Sequence, residues 1–189
     1  MDRLPALIAF VVSACGSSQP SGTTATTQRT DAVVAAPKKE IGIADFCEQQ
    51  PRTPFAWPAL DEPAPPLAGF TWVNVWATWC QPCLEEMGML REWDQAFDQQ
   101  GAPVDLVFLS VDSKPEDLTK FKETHPDMPA TLRAKDAPKI QPWLKKIGVD
   151  GDAALPIHLL VGKDGTLECV RAGMMGKQYF DLIKSLATR

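Results

Sequence analysis

Histidine is scarce in this chain, with only two in 189 residues. His125 and His158 each stand without a second His or Cys pair nearby, so a four-ligand zinc site has little to build from. Basic residues do not outnumber acidic ones: 19 Lys and Arg against 24 Asp and Glu leave a net charge of -5. That balance gives no electrostatic basis for a nucleic-acid partner, which needs a basic face. Internal repeats are absent as well. The apolar run near the N-terminus, Leu4 to Ala14, falls short of the about 20 residues a membrane-spanning helix requires.

What the chain does have is 44% apolar residues, 17 prolines and five cysteines. The length suits one domain plus a tail, and the apolar content suffices for a buried core. An odd cysteine count calls for an explanation in an oxidising compartment. The N-terminus offers one. Arg3 precedes the apolar run, which has the length of a secretion-signal core. It ends in Val12-Ser13-Ala14-Cys15, a sequence that resembles a bacterial lipobox. The expectation is a lipoprotein signal peptide over residues 1–14 and lipidation at Cys15. The alternatives are an ordinary signal peptide cleaved nearby, a wrongly chosen start codon, and a cytosolic protein. Residues 15–40 are rich in Ser, Thr, Ala, Gln and Pro. Such a composition cannot bury enough surface to offset chain entropy, so the segment is expected to be a flexible tether. A folded domain is expected over residues 41–189.

Within that domain, Phe46, Phe55, Trp57 and Leu60 suggest a short extended region broken by prolines. Phe70 to Trp76 is an apolar, β-branched and aromatic run and predicts a buried strand. A helix is expected from Pro82 to about Gln100, with Met87, Leu90, Trp93 and Phe97 on one face. Val104 to Val111 predicts a second strand and Lys114 to Thr124 a helix. A further helical piece is expected from Ala137 to Ile147, started or disturbed by Pro142. Pro156 to Val161 predicts a strand, Lys163-Asp164-Gly165 a hairpin turn, and Thr166 to Arg171 its partner strand. A last helix is expected from Lys177 to Ala187. The order predicts an α/β fold: a parallel pair in front, a hairpin behind, and helices covering a mixed central sheet.

The chemistry lies in Trp79-Cys80-Gln81-Pro82-Cys83, at the junction of a strand and a helix. A helix N-terminus presents free N–H groups and positive partial charge, and both favour thiolate over thiol. Thiols in such sites fall to about 3.5–7.5 from about 8.5. Cys80 is therefore expected to be the exposed nucleophile. Cys83, one turn into the helix, is expected to be the resolving thiol. Pro82 stiffens the small ring and suits the first helical turn. A zinc half-site and a plain structural disulfide are the competing readings. A copper-binding role would want a CxxxC pair with a histidine, and the spacing here is CxxC.

The segment Val73 to Met87 (VNVWATWCQPCLEEM) resembles the active-site segment of the TlpA-like, ResA-like branch of the thioredoxin superfamily. The likeness continues through Leu109-Ser110-Val111-Asp112, Leu155-Pro156 and Val161 to Gly165. It implies a thioredoxin-like fold and redox work on extracytoplasmic disulfides, often as a reductant in cytochrome c maturation. No cofactor is expected, and no metal, since no second Cys or His pair accompanies the dithiol. The partners the resemblance implies are protein thiols and disulfides, with a membrane thiol donor to recharge the pair. Pro156 matches the family's cis-proline, which abuts the dithiol and helps hold an extended substrate. Leu155 would offer its backbone to that substrate, with Trp79, Gln81 and Pro82 completing the contact surface. Glu86 matches an acid that some members place near the resolving thiol, where it would exchange the proton of Cys83. A solvated Glu on the helix surface is the other reading.

The chain departs from the pattern in four places, one of them Pro156-Ile157, where the usual pair is Pro-Thr. Asn74 stands where thioredoxin has a buried Asp. Met87-Gly88 replaces the usual Met-Pro, which suggests a softer kink. Residues 149–155 look longer than the usual approach to the proline. Cys47 and Cys169 are left over. Either they form a second disulfide that pins the N-terminal region to the sheet, or they are two buried free thiols. A bridge closing so long a loop stabilises by about 4–5 kcal/mol in the chain-entropy model. His125 is expected at the surface after a helix, and His158 in the core or on a sheet face. The reading is thus a lipid-anchored, periplasm-facing thiol–disulfide oxidoreductase. Its alternatives are an oxidase or isomerase, or a non-catalytic binding module.

Overall fold

The computed structural model describes residues 41–137, 140–149 and 153–189. The expected signal peptide, Cys15 and the tether lie outside the described residues, as do three positions of the 149–155 stretch. The N-terminal region, expected to be extended, opens instead with one helical turn, α1 (Ile43–Phe46), which buries Phe46. It then runs extended into a two-residue strand, β1 (Thr53–Pro54). Next comes β2 (Phe70–Trp76), all seven residues of which are buried. Both of its faces are covered, so the strand is mostly apolar, with Thr71 and Asn74 as its buried polar residues.

The long helix α2 (Gln81–Gln99) follows, with Cys83, Met87, Leu90, Trp93 and Phe97 on its buried side. Then come β3 (Val104–Ser110) and α3 (Pro115–Thr124). The sequence reading missed β4 (Thr131–Arg133), a three-residue edge strand too short to show a period. Helix α4 (Ile140–Lys146) is shorter than the expected span. Pro142 falls in its first turn, where a backbone N–H has no helical acceptor to lose. Strands β5 (Ile157–Val161) and β6 (Thr166–Ala172) form the expected hairpin. Gly165 turns it at φ +78°, a region open to glycine without strain. The end of the chain is a 3₁₀ turn (Lys177–Tyr179) leading into α5 (Phe180–Ala187), where one continuous helix was expected.

The six strands form one mixed sheet in the order β1-β6-β5-β2-β3-β4. The β2/β3 and β3/β4 pairs are parallel, and β5, β6 and β1 add antiparallel. Side chains alternate across a sheet, so Trp72, Asn74 and Trp76 share one face. Trp72 meets Trp93 of α2, and Trp76 meets Phe121 of α3. Phe180 of α5 packs on Trp93 and Phe97, so α5 lies beside α2 on this face. On the other face, Ile157 shares a cleft with Ile140 and Gln141 of α4.

Cys47 and Cys169 are joined by a disulfide with their Cα atoms 5.3 Å apart, which excludes the free-thiol alternative in this structure. The bond ties the segment after α1 to β6, and the neighbouring bridge Gln49–Val170 extends that seam. Arg171 closes it, donating to the Phe46 carbonyl at 3.0 Å while its guanidinium lies against the rings of Phe46 and Tyr179.

Candidate active site

Three chain segments meet at one end of the sheet. Parallel β2 and β3 end together, with Trp76 opposite Ser110. Antiparallel β5 begins there, with Ile157 opposite Val75. The segment after β2, the segment after β3 and the residues before β5 therefore converge. They carry Cys80, Asp112 and Pro156 respectively.

Cys80 is the N-cap of α2, with extended backbone, and its sulfur accepts the Cys83 N–H at 3.3 Å. Pro82 sits in the first helical turn, where its missing N–H costs nothing. Cys80 and Cys83 are disulfide-bonded with Cα atoms 5.3 Å apart. In this oxidised state Cys80 is 5% exposed and Cys83 1%. The sulfur expected to be exposed is thus nearly covered, and access to it is by way of the adjoining cleft. Trp79 is 69% exposed, the largest exposure of any large apolar side chain among the described residues. Trp79 is therefore no core aromatic.

That cleft, about 720 Å³, is lined by Trp79, Cys80, Pro82, Leu155 and Ile157 among others. The Leu155–Pro156 peptide bond is cis. Gln81 points to solvent and donates to Glu85 at 3.1 Å. His125 caps α3 at the surface, stacked on Phe121, far in the chain from the dithiol.

Sequence reasoning gave Asp112 no role, yet its fully buried carboxylate anchors the turn that carries the cysteines. It accepts the Thr78 N–H at 3.1 Å, the Thr78 hydroxyl at 2.7 Å and the Ser110 hydroxyl at 2.7 Å. The Cys80 N–H closes the same turn on the Ala77 carbonyl. Arg133 braces the segment from β4, donating to the Asp112 carbonyl at 2.9 Å and to the Asp61 carboxylate at 2.6 Å. The available signal was a single acid directly after a buried apolar strand, a position where a solvated loop carboxylate reads the same.

Glu86, one helical turn after Cys83, is 2% exposed, so the solvated-surface reading is excluded. One carboxylate oxygen accepts from Asn74 Nδ2 at 2.9 Å and the other from the Met175 N–H at 2.7 Å. His158 Nε2 lies 3.4 Å from the first oxygen, longer than an ordinary hydrogen bond. Asn74, the departure from the thioredoxin pattern, is thus a partner of Glu86. Among the described residues no three His, Cys, Asp or Glu side chains gather to hold a metal ion.

A family model described as thioredoxin-like matches residues 70–167, which span β2 through the start of β6 and include the dithiol and Pro156.

The chain belongs to the thioredoxin-like family.

This thioredoxin-like chain is 26% identical over 107 residues to the thiol-disulfide oxidoreductase ResA of Geobacillus thermodenitrificans, covering 56% of each chain. It is 24% identical over 109 residues to the thioredoxin-like protein YneN of Bacillus subtilis, covering 56% of this chain and 58% of that one. It therefore spans about half the length of the curated relatives it matches. Among solved structures it resembles a thiol:disulfide interchange protein of Chlorobium tepidum, with TM-score 0.54 and 20% identity. That match covers 74% of this chain and 97% of the other. A putative thiol-disulfide oxidoreductase of Bacteroides vulgatus matches with TM-score 0.51 at 18% identity, covering 63% and 79%. At such identities the structural likeness speaks for the thioredoxin-like fold.

Proposed function

We propose that this protein is a thiol–disulfide oxidoreductase that reduces disulfides of proteins outside the cytoplasm, cytochrome c maturation being one such task. The observation that carries this reading is the Cys80–Cys83 pair capping a 19-residue helix beside an open cleft. Reduced Cys80 at the helix N-terminus is held as thiolate by the free N–H groups and the helix dipole. Its sulfur attacks one sulfur of a substrate disulfide. A mixed disulfide forms, and the substrate's other sulfur leaves as thiolate and takes a proton. Cys83 gives its proton to the Glu86 carboxylate and attacks the Cys80 sulfur. The second substrate sulfur leaves and is protonated in turn. Two electrons have then passed to the substrate, and Cys80–Cys83 is a disulfide again.

Trp79, Gln81, Pro82 and the backbone of Leu155 and Pro156 form the surface on which an extended substrate lies. A membrane thiol donor returns two electrons to the pair. Residues 1–14 act as a lipoprotein signal peptide, and Cys15 carries the lipid that anchors the domain by the 15–40 tether, facing the periplasm. The lipobox-like VSAC supports this placement. No described helix is long and apolar enough to cross a membrane.

The deciding measurement is the reduction potential of the Cys80–Cys83 couple. A value toward that of thioredoxin, about -270 mV, supports a reductase, and one near the about -120 mV of a strong periplasmic oxidant overturns it. C80S is expected to abolish disulfide reduction. C83S is expected to trap the mixed disulfide, visible by mass.

A further inference from the structure

Among the described residues only two large apolar side chains are exposed, Trp79 at 69% and Met174 at 42%. Trp79 directly precedes the reactive pair. Met174 belongs to the loop after β6 and does not line the cleft beside Cys80. The fold nevertheless brings it to the same end of the sheet. Strand β6 ends at Ala172, which is paired with Ile157 at the start of β5. The Gly173 N–H then donates to the carbonyl of the cis-proline Pro156 at 2.8 Å. Two residues on, the Met175 N–H donates to the Glu86 carboxylate at 2.7 Å, one helical turn past Cys83. Met174 is thus held between a tie to the cis-proline and a tie to α2. Its exposure is not that of a frayed end. Gly173 takes φ +84°, a left-handed conformation open to glycine, and Met175 beyond it is buried.

A single exposed apolar side chain is ordinary on a protein surface. Here there are two, fixed to the segments that carry the dithiol and the cis-proline, where a substrate disulfide must arrive. A methionine is unbranched and polarizable, adapts to apolar partners of different shape, and makes favourable contacts with aromatic rings. We propose that Met174 is a specificity-determining contact for the protein substrate. With Trp79 it selects disulfides whose cysteines are flanked by apolar, above all aromatic, side chains. A polar flanking residue gains nothing from covering the thioether and loses its water. This selection rests on the redox reading and names the substrate class that reading leaves open.

Two peptide disulfides that differ only in the residue flanking the cysteine, phenylalanine or serine, test this, with a small chromogenic disulfide as control and dithiothreitol as donor. The parent is expected to favour the phenylalanine peptide through KM. M174S is expected to lower kcat/KM for that peptide about fivefold and to leave the other two disulfides within about twofold of the parent. M174L, which restores an apolar side chain, is expected to recover the preference. An unchanged kcat/KM of M174S for the phenylalanine peptide overturns the proposal. So does a loss shared by all three disulfides, as a displaced loop would give, or an M174L no better than M174S. A second measurement needs no turnover. In C83S carrying the phenylalanine peptide as a mixed disulfide on Cys80, the ¹³C-methyl NMR signal of Met174 is expected to move under the ring current. A signal that stays where it was overturns the proposal. Parent protein that reduces none of the three disulfides defeats the redox reading and the substrate assignment with it. A parent that reduces all three without preferring phenylalanine defeats the assignment alone.

Discussion

Two side chains near the dithiol separate folding from function. Asp112, itself fully buried, accepts from Thr78 twice and from Ser110. An Asn there offers one acceptor oxygen and turns an NH₂ group toward donors. D112N is expected to cost about 1–3 kcal/mol and to slow attack by Cys80, because the Thr78 turn loosens. Urea midpoints and the rate of reaction of reduced protein with a chromogenic disulfide would show both effects, and an unchanged midpoint would contradict the account. Trp79 is the opposite case. With 69% of its surface in water it contributes little to stability. W79A is expected to leave the midpoint within about 0.5 kcal/mol and to raise KM for a peptide disulfide several-fold, with reduction by dithiothreitol unaffected.

The elements differ in how plainly the sequence announces them. Strands β2 and β5 are short, mostly apolar runs, and α2 shows its face in Met87, Leu90, Trp93 and Phe97, so their existence and type follow from local pattern. Edge strand β4 and the two-residue β1 exist only because β3 and β6 offer hydrogen bonds, which no local window contains. The same limit governs the site. The CxxC motif at a strand–helix junction is legible within a few residues. The grip of Asp112 on Thr78 joins positions 34 apart, and the meeting of Glu86, Asn74 and His158 needs β5 laid beside β2.

Helix α2 also carries a prediction of its own. Burial first, then the carboxylates of Asp98 and Asp105, hold Asp94 above the usual carboxylate range. A folded-state value above the unfolded one means the fold favours the protonated form. That contribution is fully present below the unfolded value of about 3.9 and is lost as pH rises through the raised folded value. Half-exposed charges are screened, so the effect is small. D94N is expected to exceed the parent in stability at pH 7 by a few tenths of a kcal/mol, the gap closing below about pH 4. Paired urea titrations at pH 7 and 3.5 check the sign.

At the scale of the whole molecule, the two disulfides divide their labour. Cys80–Cys83 lines an open cleft, while the second bond joins half-buried Cys47 to Cys169, which has no exposed surface. A reductant strong enough for the first is expected to spare the second in folded protein. Removing the second, as C47S/C169S, is expected to cost about 2–5 kcal/mol and to leave the redox cycle intact below the lowered Tm. Calorimetry and disulfide reduction at a temperature below both transitions would register the two effects separately.

The Cys47–Cys169 bond also sets how the molecule carries load. It joins positions 122 apart in sequence. A pull applied at Ile41 and Arg189 runs through α1, crosses the disulfide into β6 and leaves through α5. Everything between those two cysteines, the dithiol and the cis-proline included, hangs in a closed covalent loop off that line of force. Tension can stretch the ends of this chain without drawing directly on the loop that holds the reactive pair. Reducing the bond would put the pair in series with the load.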